Sequence, residues 1–309
     1  MATRYAWVLN LDGDLELARG PGYCPTAGVR RALAGLETVC AAQLLADRDM
    51  RVDDDTPAGA ARGMIGRAFC PTPRALARLA RAGAELEPSP PLDVLRKVNA
   101  RSFAAALGQT MHHARFVSTL ADARAHLALD PEIGDAWRIK RSYGMAGRGH
   151  RIVSRSPREA DIAFLPRWIA EGGAQIEPNV PIDCEYAQHA AIERDGALHA
   201  GALTRQEVDR SGAWIASARV RDGEVSEALR EAVFEQLQQA AHALRGAGFF
   251  GPFGVDAFTW RAKSGEPQIR ARSEINARYS MGFAVGMGIA RGAGLGGLAR
   301  PAKSAIPPR

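Results

Sequence analysis

The spacing of apolar residues predicts short strands alternating with amphipathic helices from the beginning of the chain. Residues 5–11 have the composition of a strand, whereas apolar positions in residues 29–46 and 74–82 recur at helical spacing. Strands that alternate with helices in this way are typical of an α/β unit. The pattern therefore predicts a small N-terminal α/β domain in residues 1–91.

A second unit is predicted in residues 92–175. A helical pattern begins at Asp93 and ends at Gly108, and two later strands, 136–140 and 150–153, flank a glycine-rich loop. A short glycine-rich segment between two strands is typical of a simple hairpin. Its backbone N–H groups are also accessible enough to fold over phosphate groups.

The third predicted unit, residues 176–291, consists mainly of strands. Its predicted elements are the strands 182–193, 197–207, 249–258 and 268–276 and one long helix, 226–244. The remaining residues, 292–309, are rich in glycine, proline and basic side chains, and we expect them to form a flexible tail.

Composition and charge favour a cytoplasmic protein without a nucleic-acid or membrane partner. The chain has 309 residues, 46% hydrophobic and 24% charged, and a net charge of +6, but its basic residues are spread among 34 acids. No apolar stretch approaches the roughly 20 residues that span a bilayer, and the N-terminus lacks a signal-peptide core. The four cysteines are widely spaced, which predicts neither a zinc motif nor a disulfide framework.

Lysine is rare in this arginine-rich chain, so each lysine is informative. Lys97 lies at the start of the second unit, and Lys140 ends a strand directly before the glycine-rich loop. A lysine in such a position can reach a phosphate oxygen as a compact charge. Alternatively, each lysine is an ordinary solvated cation.

The strand 268–276 predicts a polar face that borders a cleft. Because side chains alternate with period two, Arg270, Arg272, Glu274 and Asn276 share one face. Asp256 lies on the preceding strand, and if the two strands pair, it converges with Glu274 and Asn276. Carboxylate and amide oxygens of this kind suit Mg²⁺. The alternative is a salt-bridged sheet face, with Arg272 paired to Glu274 or Asp256.

Two motifs lack the context that their chemistry requires. A GxGxxG match, residues 292–297, lies in the tail without a following βαβ unit, and no GxxxxGK[ST] sequence occurs. The pair His112 and His113 has no acidic or cysteine partner at metal-ligand spacing. We therefore expect this histidine pair to be structural or a surface feature.

In their order and spacing, these motifs resemble the ATP-grasp superfamily over roughly residues 91–290. The segment from Asp93 to Lys97, followed by Arg101, resembles the helix in which a lysine meets the ATP phosphates. Lys140 resembles the second phosphate lysine, and the flap glycines correspond to Gly144, Gly147 and Gly149. The resemblance implies an ATP-grasp fold of α+β lobes, preceded by a small N-terminal α/β (pre-ATP-grasp) domain.

The resemblance also implies ligands for the rest of the nucleotide. Glu177, Pro178, Asn179 and Val180 are similar to the hinge whose backbone holds adenine, and Glu185 to the acid that accepts ribose hydroxyls. The implied metal ligands are Asp256, Glu274 and Asn276. Two positions depart from relatives: Gly254 stands where D-alanine–D-alanine ligases carry an arginine, and Ala277 replaces the proline of Asn-Pro-Arg. Phosphate contacts are therefore expected from Arg278 or Arg272.

The activity implied by this resemblance is an ATP-dependent carboxylate–amine ligase that forms an acylphosphate intermediate. Its cofactors would be ATP and Mg²⁺, its substrates a small carboxylate and an amine, and its catalytic residues Lys140, Arg278 and Arg272. A homodimer is compatible with the sequence. Two alternatives remain open on the same fold, a kinase that phosphorylates a hydroxyl and a non-catalytic ATP-binding module.

Overall fold

A computed structural model of the chain describes residues 3–145, 148–209 and 214–289. The predicted flap residue Gly147 and the predicted tail 292–309 lie outside these ranges. The described part contains three β-sheets with helices packed against them. Within it, no helix is both long enough and apolar enough to cross a membrane.

The N-terminal unit contains alternating strands and helices around one sheet. Its elements are β1 (Tyr5–Val8), α1 (Gly13–Arg19), α2 (Ala27–Leu44), β2 (Met50–Arg51), β3 (Ile65–Ala68), α3 (Pro73–Arg81) and β4 (Glu85–Leu86). The strands form a parallel sheet in the order β2-β1-β3-β4. The sequence pattern did not predict α1, because Asp14 and Glu16 point inward from it and no apolar stripe results.

The second unit contains an antiparallel sheet with the strand order β5-β8-β6-β7. Its elements are α4 (Leu92–Asn99), α5 (Arg101–Ala106), β5 (Arg115–Val117), α6 (Leu120–Leu127), β6 (Ala136–Met145), β7 (Arg148–Ser154), a short 3-10 helix (Glu159–Ile162), α7 (Leu165–Ala170) and β8 (Ala174–Asn179). The predicted boundary between residues 175 and 176 therefore falls inside a strand of this sheet.

The single helix predicted from Asp93 to Gly108 is two helices. Ala100 adopts an extended conformation (φ −75°, ψ 139°) between α4 and α5. Beside the break, the Asn99 side chain accepts a hydrogen bond from the backbone N–H of Ala277 at 2.9 Å. A contact with a residue so distant in sequence explains why local periodicity could not locate this break.

The third unit contains a five-stranded antiparallel sheet in the order β11-β10-β9-β12-β13. Its elements are β9 (Ile182–Ile192), β10 (Leu198–Val208), β11 (Trp214–Arg219), α8 (Glu227–Gly246), β12 (Gly251–Arg261), β13 (Pro267–Asn276) and α9 (Phe283–Met287). The predicted hairpin is the β9–β10 pair. The long helix α8 covers one face of this sheet with a row of buried leucines and alanines.

A β-bulge changes the faces that the strand β13 presents. Asp256 pairs with Glu274, but Phe258 pairs with Arg270, so β13 has two more residues than β12 over this stretch. Ala271 packs in the α8-side core, and the next residue, Arg272, also reaches the α8 side. The strict alternation expected from the sequence therefore fails at this point, because a bulge adds residues on one strand only.

The packing of α8 generates a stability prediction. Leu237 is fully buried in the core below the sheet, whereas Phe234, one turn earlier on the same helix, is 40% exposed. We expect Leu237→Ala to lower the free energy of unfolding by about 2–5 kcal/mol, because it removes buried methyl groups and leaves a cavity. Urea unfolding followed by circular dichroism measures the change. Phe234→Ala is the matched control and should cost clearly less; equal losses would contradict this packing.

Candidate active site

A single cavity is lined by side chains from all three units of the fold. Its polar wall holds most of the residues that the sequence singled out. These are Lys140, Gly144, Gly149, Glu177, Pro178, Val180, Glu185, Asp256, Glu274, Asn276 and Arg278. Residues from five separate segments of the chain therefore meet at one cavity.

Two cations and one acid form a buried cluster at one side of the cavity. The Lys140 Nζ atom lies 2.6 Å from Glu177 Oε1, and Arg270 Nη1 lies 2.6 Å from Glu177 Oε2. Burial lowers the pKa of Lys140 to about 8 although Glu177 raises it. Burial opposes the charge of Glu177 too, but Arg270 and Lys140 outweigh it and bring the pKa of Glu177 to about 2. The cluster keeps a net positive charge directed at the cavity.

The predicted role of Glu177 was confined to its backbone, in the hinge, but its side chain also belongs to the site. Glu177 is only 2% exposed and lies on β8, next to Pro178. The neighbouring hinge residue Asn179 does not line the cavity, but its Oδ1 accepts hydrogen bonds at 3.0 and 3.2 Å from Arg138, which does. Pro178 and Val180 do line the cavity.

Three acids and an amide also line the cavity. Asn276 donates a hydrogen bond from Nδ2 to Asp256 Oδ2 at 2.9 Å, and Glu274 is paired across the sheet with Asp256. Burial, reinforced by repulsion from Glu274 and then Glu185, raises the pKa of Asp256 to about 7. Burial also raises the pKa of Glu185. Negative charge therefore accumulates here beyond what nearby cations neutralise.

This donor set fits a hard divalent cation. Mg²⁺ binds carboxylate and amide oxygens and retains water or phosphate oxygens in its remaining positions. Burial, reinforced by repulsion from Glu274, disfavours the ionised form of Asp256. A cation between Asp256, Glu274 and Asn276 would stabilise that form, so the residues present suit the metal that the sequence implied.

Arg278 joins the cavity to the N-terminal unit. Its Nε donates to Asp14 Oδ1 at 3.0 Å, and its Nη2 donates to Asp14 Oδ2 at 2.5 Å. Burial alone would lower the pKa of Arg278, but the Asp14 carboxylate more than offsets this and the net shift is upward. Arg278 is thus a permanently charged group in a fixed position. Sequence analysis missed Asp14, because α1 carries no recognisable helical pattern.

Two predicted phosphate residues lie elsewhere. Lys97 is exposed on α4 and does not line the cavity. Arg101, at the start of α5, does line it, and pairs with Glu274 Oε1 at 3.0 Å. Because the helix is interrupted at Ala100, the basic side chain that lines the cavity is that of Arg101, which follows the interruption.

Arg272 is the second predicted phosphate residue that does not line the cavity. It donates to the side-chain oxygens of Gln236 and Gln239 on α8 and to the backbone oxygen of Gly108. Burial, followed by repulsion from Arg270, lowers the pKa of Arg272 to about 10. The bulge in β13 is the cause, since it directs this residue away from the cavity face. Arg272 therefore holds α8 and the α5 region together.

Part of the cavity lining has a different character. It includes apolar side chains, among them Leu11, Phe69 and Met281, and the buried imidazole of His189. Burial lowers the pKa of His189 to about 4, so the ring is neutral at pH 7. Sequence reasoning missed His189, whose only signal is an inward position on β9.

Glycines pack closely around His189. A Cβ atom on Gly254 would lie 3.1 Å from His189 Cδ2, and one on Gly286 would lie 2.7 Å from His189 Nδ1. A side chain at either position would displace the ring. The arginine that ligases of the D-alanine type carry at the position of Gly254 therefore has no space here while the imidazole occupies this location.

The sequence matches no protein-family model and no curated protein, but solved structures share its fold. A biotin carboxylase from Campylobacter jejuni matches with a TM-score of 0.56 and 13% identity, over 92% of this chain and 67% of its own. A pyruvate carboxylase from Rhizobium etli matches with a TM-score of 0.53 and 16% identity, over 94% and 28%. An N5-carboxyaminoimidazole synthetase from Staphylococcus aureus matches with a TM-score of 0.50 and 12% identity, over 90% and 71%.

These proteins are ATP-grasp enzymes, and the chain is similar to them over nearly its whole described length. The chain therefore has the ATP-grasp fold, as the sequence motifs predicted. At 12–16% identity, the likeness establishes architecture. The chemistry of this particular chain has to be argued from its own cavity.

The raised pKa of Asp256 generates a pH prediction. A carboxyl whose pKa is higher in the folded state destabilises the fold increasingly as pH rises from about 4 through 7. We expect Asp256→Asn to raise the melting temperature relative to the unmodified protein at pH 8, and the difference to shrink at pH 5. Differential scanning fluorimetry without divalent metal measures it.

The control substitution is Asp222→Asn, at a side chain that is fully exposed. It should leave the pH profile of the melting temperature unchanged. Adding Mg²⁺ at pH 8 should stabilise the unmodified protein and not Asp256→Asn. A pH-independent effect of Asp256→Asn would contradict the charge assignment.

Proposed function

We propose that this protein is an ATP-dependent carboxylate–amine ligase that works through an acylphosphate intermediate. One observation carries the proposal: basic groups from the second unit and oxygen ligands from the third line one cavity. Arg101 and Lys140 supply the basic groups, and Asp256, Glu274 and Asn276 supply the oxygen ligands. Such an arrangement suits a triphosphate whose negative charge is neutralised by both the protein and a metal ion.

The roles of the residues follow from their positions. Arg101 and Lys140 would contact phosphate oxygens, and Glu185 is placed to accept hydrogen bonds from a ribose. Asp256, Glu274 and Asn276 would hold Mg²⁺, which neutralises phosphate charge when it is bound. The catalytic contribution of such a site is the positioning of reactants and the stabilisation of charge.

Transfer of the γ-phosphoryl group to a carboxylate needs a cation on the acceptor side. Arg278 is suited to this role because Asp14 holds its guanidinium in a fixed orientation within the cavity wall. The carboxylate oxygen would attack the γ-phosphorus and ADP would leave. An amine would then attack the acylphosphate carbonyl and release phosphate. This sequence requires no nucleophilic side chain from the protein.

The known activities of structural relatives agree with this reading. The biotin carboxylase structure is a complex with a β-γ-ATP ligand, and the other two matches are a pyruvate carboxylase and an N5-carboxyaminoimidazole synthetase. All three names describe enzymes that join a carboxyl group to another molecule. The apolar side chains of the cavity lining, with the neutral His189, would contact the acceptor.

Replacing each of the two basic side chains with alanine tests the nucleotide site. We expect Arg101→Ala and Lys140→Ala each to lower kcat/KM for ATP by about 100-fold or more, because each removes a charge contact to the phosphates. Lys97→Ala and Lys263→Ala are matched controls, since both lysines are exposed. Steady-state assays of ADP formation provide the measurement. An inactive Lys97→Ala protein would restore the original assignment and refute the present one.

The products formed distinguish the reaction classes. A ligase should release ADP and inorganic phosphate in equal amounts, and only when a carboxylate and an amine are both present; amino acid mixtures are a practical first screen. A kinase would release ADP without phosphate when a hydroxyl compound is added. Stabilisation by Mg-ATP, without turnover in any mixture, would indicate a non-catalytic binding module.

A further inference from the structure

A second cluster of potential metal ligands lies outside the nucleotide cavity, on the loops beside the hinge. It consists of His112, His113 and Glu132, whose nearest nitrogen and oxygen donor atoms all lie within 4.8 Å of one another. The sequence showed no acidic partner for the histidine pair at ligand spacing. Folding supplies one, since Glu132 comes from the loop that follows α6.

The separation between Glu132 and each histidine is already typical of two ligands on one ion. His112 Nε2 lies 3.2 Å from Glu132 Oε2, and His113 Nε2 lies 3.0 Å from Glu132 Oε1. Two ligands of a tetrahedral zinc ion, each bonded at about 2.0–2.1 Å, are separated by roughly 3.3 Å. Small adjustments of the side chains would therefore suffice to bind an ion.

The position of His113 also suits a metal ligand. Its Nε2 is buried and lies 3.0 Å from Glu132 Oε1, and the other oxygen of the same carboxylate is paired with His112. An imidazole nitrogen and a carboxylate oxygen at this separation can share one metal ion.

The backbone at both ligand positions is unusual. His113 (φ 56°) and Glu132 (φ 52°) are the only non-glycine residues with a positive φ in the described part of the chain. Hydrogen bonds hold both conformations: His126 Nε2 lies 2.9 Å from the His113 carbonyl oxygen, and the Glu132 N–H donates to Asp130 Oδ1 at 2.8 Å. The two side chains are thus presented to each other by ordered loops.

We propose that His112, His113 and Glu132 bind a first-row divalent cation of the zinc type at the back of the nucleotide hinge. Imidazole nitrogens favour zinc over magnesium, and three protein ligands leave a fourth position for water. The side chains of His112 and Glu132 are 63% and 58% exposed, so an ion can enter from solvent.

Binding would clamp two loops that cover the hinge. Met111 and Ala114, which flank the histidines, and Ile133, which follows Glu132, pack in one cluster with Val180. Val180 in turn lines the nucleotide cavity. An ion held between the loops would therefore stabilise the region that supports the hinge, independently of whether the proposed ligase reaction occurs.

A zinc titration of the full-length, metal-stripped protein tests the site. Millimolar Mg²⁺ is included to compete at the acid cluster, and Cys24→Ser is the background because that thiol is exposed. We expect binding of one equivalent of Zn²⁺ and a rise in melting temperature. Glu132→Gln and His113→Ala should each weaken the binding by at least about 10-fold. Co²⁺ absorption should indicate nitrogen and oxygen ligands without thiolate.

The matched control is His242→Ala, which removes an exposed histidine from α8. It should leave Zn²⁺ affinity unchanged. Melting curves without metal verify that each variant is folded, and the near-isosteric Glu132→Gln keeps the test valid if His113→Ala is not. Zn²⁺ affinity that survives in Glu132→Gln, or no binding to the background protein at micromolar Zn²⁺, would overturn the proposal.

Discussion

The burial of Lys140 against Glu177 is the interaction on which the cavity depends. A buried lysine is costly unless a partner compensates, and Glu177, at 2.6 Å, is that partner. Arg270 pairs with the second oxygen of the same carboxylate, so one acid supports two cations from different sheets. The contact spans β6, β8 and β13, and it thereby fixes the two lobes as well as the charge of the site.

The end of β13 is the second point where the units meet. Within a few residues, Glu274 pairs with Arg101, Ala277 donates to Asn99 and Arg278 is bound by Asp14. Three segments of the chain are thus held by one strand end that also carries the proposed metal ligands. A shift of the N-terminal unit would consequently move Arg278 relative to the acids, which links domain packing directly to the geometry of the site.

Sequence analysis succeeded where the relevant geometry is local. The convergence of Asp256, Glu274 and Asn276 follows from period-two alternation and the pairing of two neighbouring strands, and the structure places these residues together. The hairpin β9–β10 and the helix α8 were predicted for the same reason. The long strands and helices of this fold can be recognised from the spacing of their apolar residues.

The predictions that failed depend on distant contacts. Arg101 and not Lys97 lines the cavity because the helix breaks at Ala100, beside the contact between Asn99 and Ala277. Arg272 is directed away from the cavity by a bulge that exists only where the two strands are paired. The partner of His113 is likewise supplied by another loop. In each case the arrangement depends on contacts between residues that are distant in sequence, and spacing along the chain does not report such contacts.

The choice of lysine at position 140 is informative in a chain that otherwise uses arginine. A guanidinium stays charged under all ordinary conditions, whereas the pKa of the buried Lys140 is lowered to about 8. The phosphates of a bound nucleotide would add negative charge and raise this pKa again, so the ammonium is stabilised most when the nucleotide is present. Arg278, held by Asp14, does not have this property. The site thus combines Lys140, whose pKa would change when a nucleotide binds, with Arg278, whose charge does not depend on a ligand.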